Sequence, residues 1–190
     1  MPSVLITTSR RTSNRVRSFT HDLMSVLPNS ERFNRGGMSS GELVARINQS
    51  GAKAVLMVTI LKGNPHELRI ISGEGTIQLS ALLESVQLRR EIQPSQGPRI
   101  NGLLEIVIGS SPSVQTKQVA EMMSSLLEVP LKVSENVVPV GEQGVNRAIM
   151  RFVDLPQGRL IWTHHHAYDG VEIGPRIRVL SVRRLVSNES

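Results

Sequence analysis

Two kinds of apolar spacing alternate along this chain. Short, nearly continuous runs occur at Val4-Leu5-Ile6, Ala54 to Ile60 and Leu103 to Ile108. Such runs belong to strands covered on both faces. Between them apolar residues recur every three or four positions, at Val16, Phe19, Leu23 and Val26/Leu27, and again at Val119, Met122/Met123, Leu126 and Leu127. That spacing predicts two amphipathic helices. Thr12 or Ser13 can cap the first by accepting a backbone N–H, and Pro28-Asn29-Ser30 ends it. A basic loop, Arg32 to Gly37, leads to Ser39 or Ser40 as the cap of a further helix over Gly41 to Asn48, with Leu43, Val44 and Ile47 inward. Glu42 is placed for a capping box with Ser39, and Ser50-Gly51 stops this helix. Gly63-Asn64-Pro65 is a turn, with Leu68 to Ile71 as hairpin partner of the run before it. Thr76 to Leu79 and Val86 to Ile92 read as further strands, and Gln93 to Pro98 as a seam. Pro130 ends the second long helix, Leu131 to Val133 reads as a short edge strand, and Arg147 to Val153, Arg159 to His165 and Pro175 to Val182 as three more.

The second half of the chain rhymes with the first. A shift of one hundred residues puts Ile6 on Ile106, Ser9 on Gly109, Phe19 on Val119, Leu23 on Met123 and Leu27 on Leu127. Arg159 to His165 follows a Gly/Pro turn much as Glu67 to Ile71 does, and Val86 to Arg90 and Leu180 to Arg184 both close on paired arginines. The expectation is an α/β fold with a mixed sheet, in two similar halves from an internal duplication of a β–α…β–β unit. Charge is not duplicated. Arg10, Arg11, Arg15 and Arg17 crowd the first strand–helix turn, whereas its counterpart has only Lys117. Cations are misplaced at a helix N-terminus, where the dipole is already positive. Hydroxyls, exposed N–H groups and arginines together suit an anion such as phosphate; a solvated, Arg-rich surface turn is the alternative.

Composition supports a polyanion partner. The 190 residues carry a net charge of +6, and 18 of the 22 basic residues are arginine, whose planar fork matches phosphate. An acidic protein surface would also fit. With one Trp, one Tyr and three Phe, rows of stacking aromatics for single strands are absent, so backbone and shape contacts are favoured. At 39% hydrophobic the chain can fold without staples, and with no cysteine it has no disulfide or thiolate chemistry. No apolar run reaches membrane-spanning length and no signal-peptide core opens the sequence, which leads to the expectation of a soluble, cytoplasmic protein.

Catalytic motifs are missing. On a strand, His164 and His166 would share one face and His165 the other, but a closed metal site needs further ligands and only Asp169 is near in sequence. A strand end whose imidazoles bond backbone or RNA is the plainer reading. Gly109 to Lys117 lacks the second glycine and the Lys-Ser/Thr pair of a phosphate loop. Ser9 and Ser111 have no histidine at a recognisable spacing, and no carboxylates are paired. Arg176 to Leu180 alternates basic and apolar residues, as expected of a strand with one basic face or of a charge-protected edge.

Leu5-Ile6-Thr7-Thr8-Ser9-Arg10-Arg11, followed by Arg17-Ser18-Phe19 and Asp22-Leu23, resembles the opening motif of the Brix-domain proteins. Gly63-Asn64-Pro65 with Leu68-Arg69 resembles that family's next segment. Val171-Glu172-Ile173-Gly174-Pro175-Arg176, with Leu180 and Arg183-Arg184, resembles its closing GPR segment. The likeness runs from Val4 to Leu185 and is to the compact archaeal form, near the branch that in eukaryotes belongs to the small nucleolar RNP of the small-subunit processome. Thr12 departs from the proline expected there, which leaves the helix start less fixed. The resemblance implies a single Brix domain over 1–190, in halves 1–96 and 97–190, each similar to the anticodon-binding domain of class IIa aminoacyl-tRNA synthetases. It further implies ribosome biogenesis: binding an rRNA precursor or guide RNA and assisting rRNA processing and subunit assembly. No catalysis, cofactor, metal, membrane or small-molecule substrate is expected, and eukaryotic relatives would be nucleolar. Ribosome-assembly proteins are further partners, and an acidic partner in a preribosomal particle is the alternative to RNA. The RNA-contacting residues expected are Arg10, Arg11, Ser13, Arg15 and Arg17 at the first helix, with His164, His166, Arg176, Arg178, Arg183 and Arg184 lining the same concave surface.

Overall fold

The apolar run at the start of the chain becomes β1 (Val4–Thr8), buried at every position. The computed structural model describes residues 1–95, 97, 100–142 and 144–185. After β1 come α1 (Asn14–Val26), β2 (Ser30–Arg32), α2 (Ser40–Ser50), β3 (Ala54–Leu61), β4 (Asn64–Ser72), β5 (Ile77–Gln87) and a single turn, α3 (Arg89–Ile92). The rest comprises β6 (Gly102–Ile108), α4 (Val114–Leu127), β7 (Leu131–Val133), β8 (Arg147–Asp154), β9 (Leu160–His166) and β10 (Arg176–Arg184). The ten strands among the described residues form one mixed sheet in the order β2-β1-β3-β4-β5-β10-β9-β8-β6-β7.

That order reads the same from either edge. In each half a three-residue edge strand lies parallel to the strand that precedes the long helix, and that strand lies parallel to the first arm of an antiparallel meander. The halves join through β5 and β10, antiparallel from Gln87–Arg176 to Leu79–Arg184. Following the strand directions across the sheet, β1 and β6 run in opposite senses. The starts of α1 and α4 therefore lie at opposite ends of the sheet.

Alternation along the strands divides the core. On one face α1 and α4 bury Val16, Phe19, Leu23 and Val26, and Val119, Ala120, Met123 and Leu126, against Ile6, Leu56, Ile70, Leu79, Ile106, Met150, Trp162 and Ile177. On the other face α2 packs Leu43 and Ile47, with Phe33, on Leu5, Val55, Met57 and Ile71. In the second half no helix lies there among the described residues; a small cluster of Val107, Ile149 and Ala167 is covered by Leu104 and Val137.

Caps follow the sequence signals. Ser13 and Ser113 each accept from the amide three residues on, Val16 and Thr116, at 3.2 Å. The Ser39–Glu42 capping box forms in both directions. Three expectations change. Val86 to Ile92 is not a strand, since β5 ends at Gln87 and Glu91 turns back to accept from the Leu88 amide at 2.7 Å, closing the turn of α3. The hairpin turn lies at Lys62-Gly63, both at positive φ (48° and 82°), and Pro65 is inside β4; this pair of angles matches the right-handed twist of the flanking strands. β2 has no apolar residue to announce it; its place in the sheet comes from pairing with β1. Of the expected seam, Gln96 and Pro98 lie outside the described residues.

Candidate nucleic-acid interface

The first strand–helix turn is built on Ser13. Its hydroxyl accepts from Val16 and donates to Gly63 O at 2.6 Å, tying the β3–β4 hairpin tip to the start of α1. Lys62 is thereby brought beside the turn. Arg10, Arg11, Thr12, Arg17, Lys62 and Gly63 then line an open groove of about 640 Å³. Arg10 Nε and Arg35 Nε both donate to Met38 O, at 3.2 and 3.3 Å, which draws the basic loop to the same place. Arg32 donates to Thr20 Oγ1 on α1 at 3.0 Å. Burial lowers the Arg35 and Arg32 pKa values, and the charges of Arg10 and Arg17 respectively lower them further.

Six cations thus gather: Arg10, Arg11, Arg17, Arg32, Arg35 and Lys62. Among the described residues none of the six forms an ion pair, while ten other basic side chains do: Arg15, Arg46, Lys53, Arg69, Lys117, Lys132, Arg159, His166, Arg176 and Arg184. The backbone N–H groups of Arg10 and Ser13 also have no acceptor among the described residues. Like charges held together without a counter-ion weaken a fold unless an anion meets them.

The other end of the sheet differs. Around the start of α4, Asp154 accepts from Ser113 N at 2.7 Å, Ser113 Oγ at 2.6 Å and Thr116 Oγ1 at 2.5 Å. Glu135 accepts from Ser110 N at 2.8 Å. These carboxylates border a cleft of about 210 Å³ between Gly109-Ser110-Ser111 and Arg151.

The structure separates the residues expected to share one surface. Arg15 is half-buried and pairs with both oxygens of Glu91, at 2.6 and 3.1 Å, and with Val86 O at 2.8 Å, so it ties α1 to α3. Ser13 has both its hydroxyl donor and an acceptor site engaged. His164 is fully buried, its Nδ1 donating to Pro175 O at 2.8 Å, and burial pushes its pKa down to about 4. It is a core residue and cannot meet a ligand. His166 sits beside Asp169, at 3.2 Å, and His165 bonds Gly170 O. Arg176 pairs with Glu172 and reaches Gln87 at 3.0 Å. Arg178 is exposed on the sheet face away from α1 and α4. Arg183 and Arg184 lie at the far end of β10, Arg184 being 3.8 Å from Glu121 of α4. Strand direction is the reason: Arg10 follows the end of β1 at one end of the sheet and Arg184 ends β10 at the other. Sequence reasoning missed Lys62, which nothing but the fold brings to the groove, and Arg32 and Arg35 beside it, although the basic loop was visible as a loop.

The GPR segment has a structural part. Gly174 has φ +66°, and a Cβ there would meet Ile92 Cδ1 at 2.8 Å and Arg89 Cα at 3.2 Å. No group of three or more metal-ligating side chains gathers among the described residues. No described helix is long and apolar enough to cross a membrane.

A single mixed α/β sheet with a basic groove at one end and a carboxylate-filled turn at the other defines the class. Comparison with known proteins gives the family. A probable Brix domain-containing ribosomal biogenesis protein of Methanopyrus kandleri is 35% identical over 132 residues, covering 68% of each chain. The chain belongs to the Brix domain-containing ribosomal biogenesis proteins. The crystal structure of a probable ribosomal biogenesis protein from Aeropyrum pernix K1 superposes with a TM-score of 0.78 at 26% identity, covering 98% of this chain and 100% of that one. The U3 small nucleolar ribonucleoprotein protein IMP4 of Bos taurus is 26% identical over 178 residues; the match spans 94% of this chain and 59% of the bovine protein. No family model matches the chain.

Proposed function

We propose that this protein is a ribosome biogenesis factor that binds an rRNA precursor, or its guide RNA, through the groove at the start of α1, and assists processing and subunit assembly without catalysis. The observation that carries this is the gathering of six cations without ion pairs at the start of α1, with Arg10, Arg11, Arg17 and Lys62 lining the groove and Arg32 and Arg35 beside it. Arg10, Arg11, Arg17, Arg32, Arg35 and Lys62 would contact phosphates, with RNA read by backbone and shape. The names of the relatives support the biological setting. Arg178 and Arg183, on other surfaces, would add less, and Arg15, Ser13, His164 and Arg176 serve the fold. We also infer that halves 1–96 and 97–190 of a single Brix domain descend from one duplicated unit similar to an anticodon-binding domain; the palindromic strand order and the caps one hundred residues apart support it. A cytoplasmic location goes with this reading.

The test is binding to a pre-rRNA fragment over a salt series. Each of Arg11→Ala, Arg17→Ala and Lys62→Ala should lower the slope of log K against log salt by about 0.7–0.9, with Arg178→Ala as a control that changes it little. Wild-type protein that fails to bind RNA but captures an acidic assembly protein would establish the alternative. A protein partner is also suited by exposed Val133, Val138, Val140, Val145, Tyr168 and Val171 in the second half.

A further inference from the structure

The two strand–helix turns are comparable position by position through the strand register. In the first half Thr8 pairs with Val58, and in the second Ile108 pairs with Phe152. Two residues further along the second strand of each pair stand Ile60 and Asp154, so a carboxylate occupies one turn where an aliphatic side chain borders the other. The amides bonded by Asp154 and Glu135 belong to Ser113 and Ser110; their counterparts one hundred residues earlier, Ser13 and Arg10, have no acceptor among the described residues. Burial pushes the Asp154 carboxyl up, but the hydrogen bonds from Ser113 and Thr116 outweigh it and leave the group low, hence ionised at neutral pH. Cations are still at hand around the second turn. Arg151 donates to Glu135 O at 2.6 Å, and Gln115 of α4 accepts from Val182 N at 2.6 Å, which brings the Arg183 and Arg184 end of β10 alongside.

We propose that Asp154 and Glu135 are specificity determinants: they fill the second turn with the protein's own carboxylates and so confine RNA phosphates to the first. This rests on the phosphate reading of the first turn. The cap at α4 is thus an internal stand-in for the ligand that α1 takes from outside. A one-ended grip fixes the direction in which the sheet lies on its RNA, which two equal grips would leave ambiguous.

The full-length chain tests this, with inorganic phosphate titrated into isotope-labelled protein and amide shifts followed at both turns. Asp154→Ala with Glu135→Ala should make the Ser110 and Ser113 amides respond to phosphate at concentrations about tenfold lower than in the wild type, the loss of one charge-assisted bond each way. New RNA cross-links at Ser110 to Thr116 should appear with it. A folded double variant whose second turn stays insensitive overturns the proposal. The reciprocal change, Ile60→Asp, should weaken the phosphate response of the Arg10 and Ser13 amides by about tenfold. If the double variant does not fold, this second variant decides: an unchanged response at the first turn overturns the proposal. A response at the opened second turn, with none at the first turn of the wild type, refutes the RNA reading of the first turn and leaves the occupancy of the second by Asp154 standing.

Discussion

Arg15 donates to both carboxylate oxygens of Glu91, 76 residues further along the chain, and so fastens the start of α1 to the turn that ends the first half. The pairing holds Glu91 below the usual carboxylate range. Both side chains are about one-third exposed, which limits the energy of the pair. Arg15→Ala should therefore lower the unfolding free energy by about 1 kcal/mol and leave the salt slope of RNA binding unchanged. Urea unfolding beside the salt series checks both. A variant of wild-type stability with a reduced slope would return Arg15 to the RNA.

His164 makes stability depend on pH. Its imidazole is buried against Trp162, with ring centroids 5.8 Å apart, and its Nε2 has no partner among the described residues. With a folded pKa of about 4 against an ordinary 6.5, the unfolded chain binds the extra proton between these values. Stability is then full above pH 6.5 and falls as pH drops towards 4, by up to about 3 kcal/mol. His165, also lowered by burial, adds in the same direction. His164→Gln should flatten the difference between unfolding at pH 7.5 and pH 4.5 (about three pH units apart) without removing it. An undiminished difference would show that other groups cause it.

Gly174→Ala should be among the costly single changes in the chain. Its left-handed φ alone disfavours a side chain by about 1 kcal/mol, and a Cβ would crowd Ile92 at 2.8 Å and the backbone of Arg89 at 3.2 Å. A fall of more than about 2 kcal/mol in unfolding free energy is expected, with the RNA affinity of the folded fraction unchanged. A variant as stable as the wild type would mean that the segment rearranges freely.

The strands and long helices were legible because their apolar spacing is dense. Phe19 and Leu23, or Val119 and Met123, admit no other period. β2 was not, because Ser30-Glu31-Arg32 has no apolar residue and becomes a strand through its pairing with β1. The basic turn was readable at Arg10, Arg11 and Arg17, but the sharing of charge was not. Lys62 reaches the groove through a hairpin, Arg35 meets Arg10 at Met38 O through a loop, and Arg15 finds Glu91 at a distance that no local pattern encodes. His164 and His166 share a face, as period two requires, yet one is core and the other partly exposed, because β9 runs out from under the helices at its end. The paired arginines of the two halves look alike in sequence and differ in place: Arg89 is buried, whereas Arg183 faces solvent.

That burial sets the last prediction. Arg89 is 9% exposed and joins three segments: its amide donates to Asp22 Oδ2 at 2.8 Å, its Nη1 to Ser25 Oγ at 2.9 Å and its Nε to Ile173 O at 3.2 Å. The first two contacts hold α3 to α1, and the third crosses to the GPR segment of the second half. Burial lowers the pKa of Arg89, opposed by the charge of Asp22. A guanidinium suits this place because its donors diverge in one plane. Lysine keeps the charge but cannot serve Ser25 and Ile173 together, and its ammonium is harder to desolvate. Arg89→Lys should destabilise by about 3 kcal/mol. Arg89→Met removes the buried charge along with the bonds, and should cost less than lysine although it is the less conservative change. Urea unfolding of the two variants decides it: a lysine variant more stable than the methionine one would mean that charge, not the directed bonds, holds the halves together at this point.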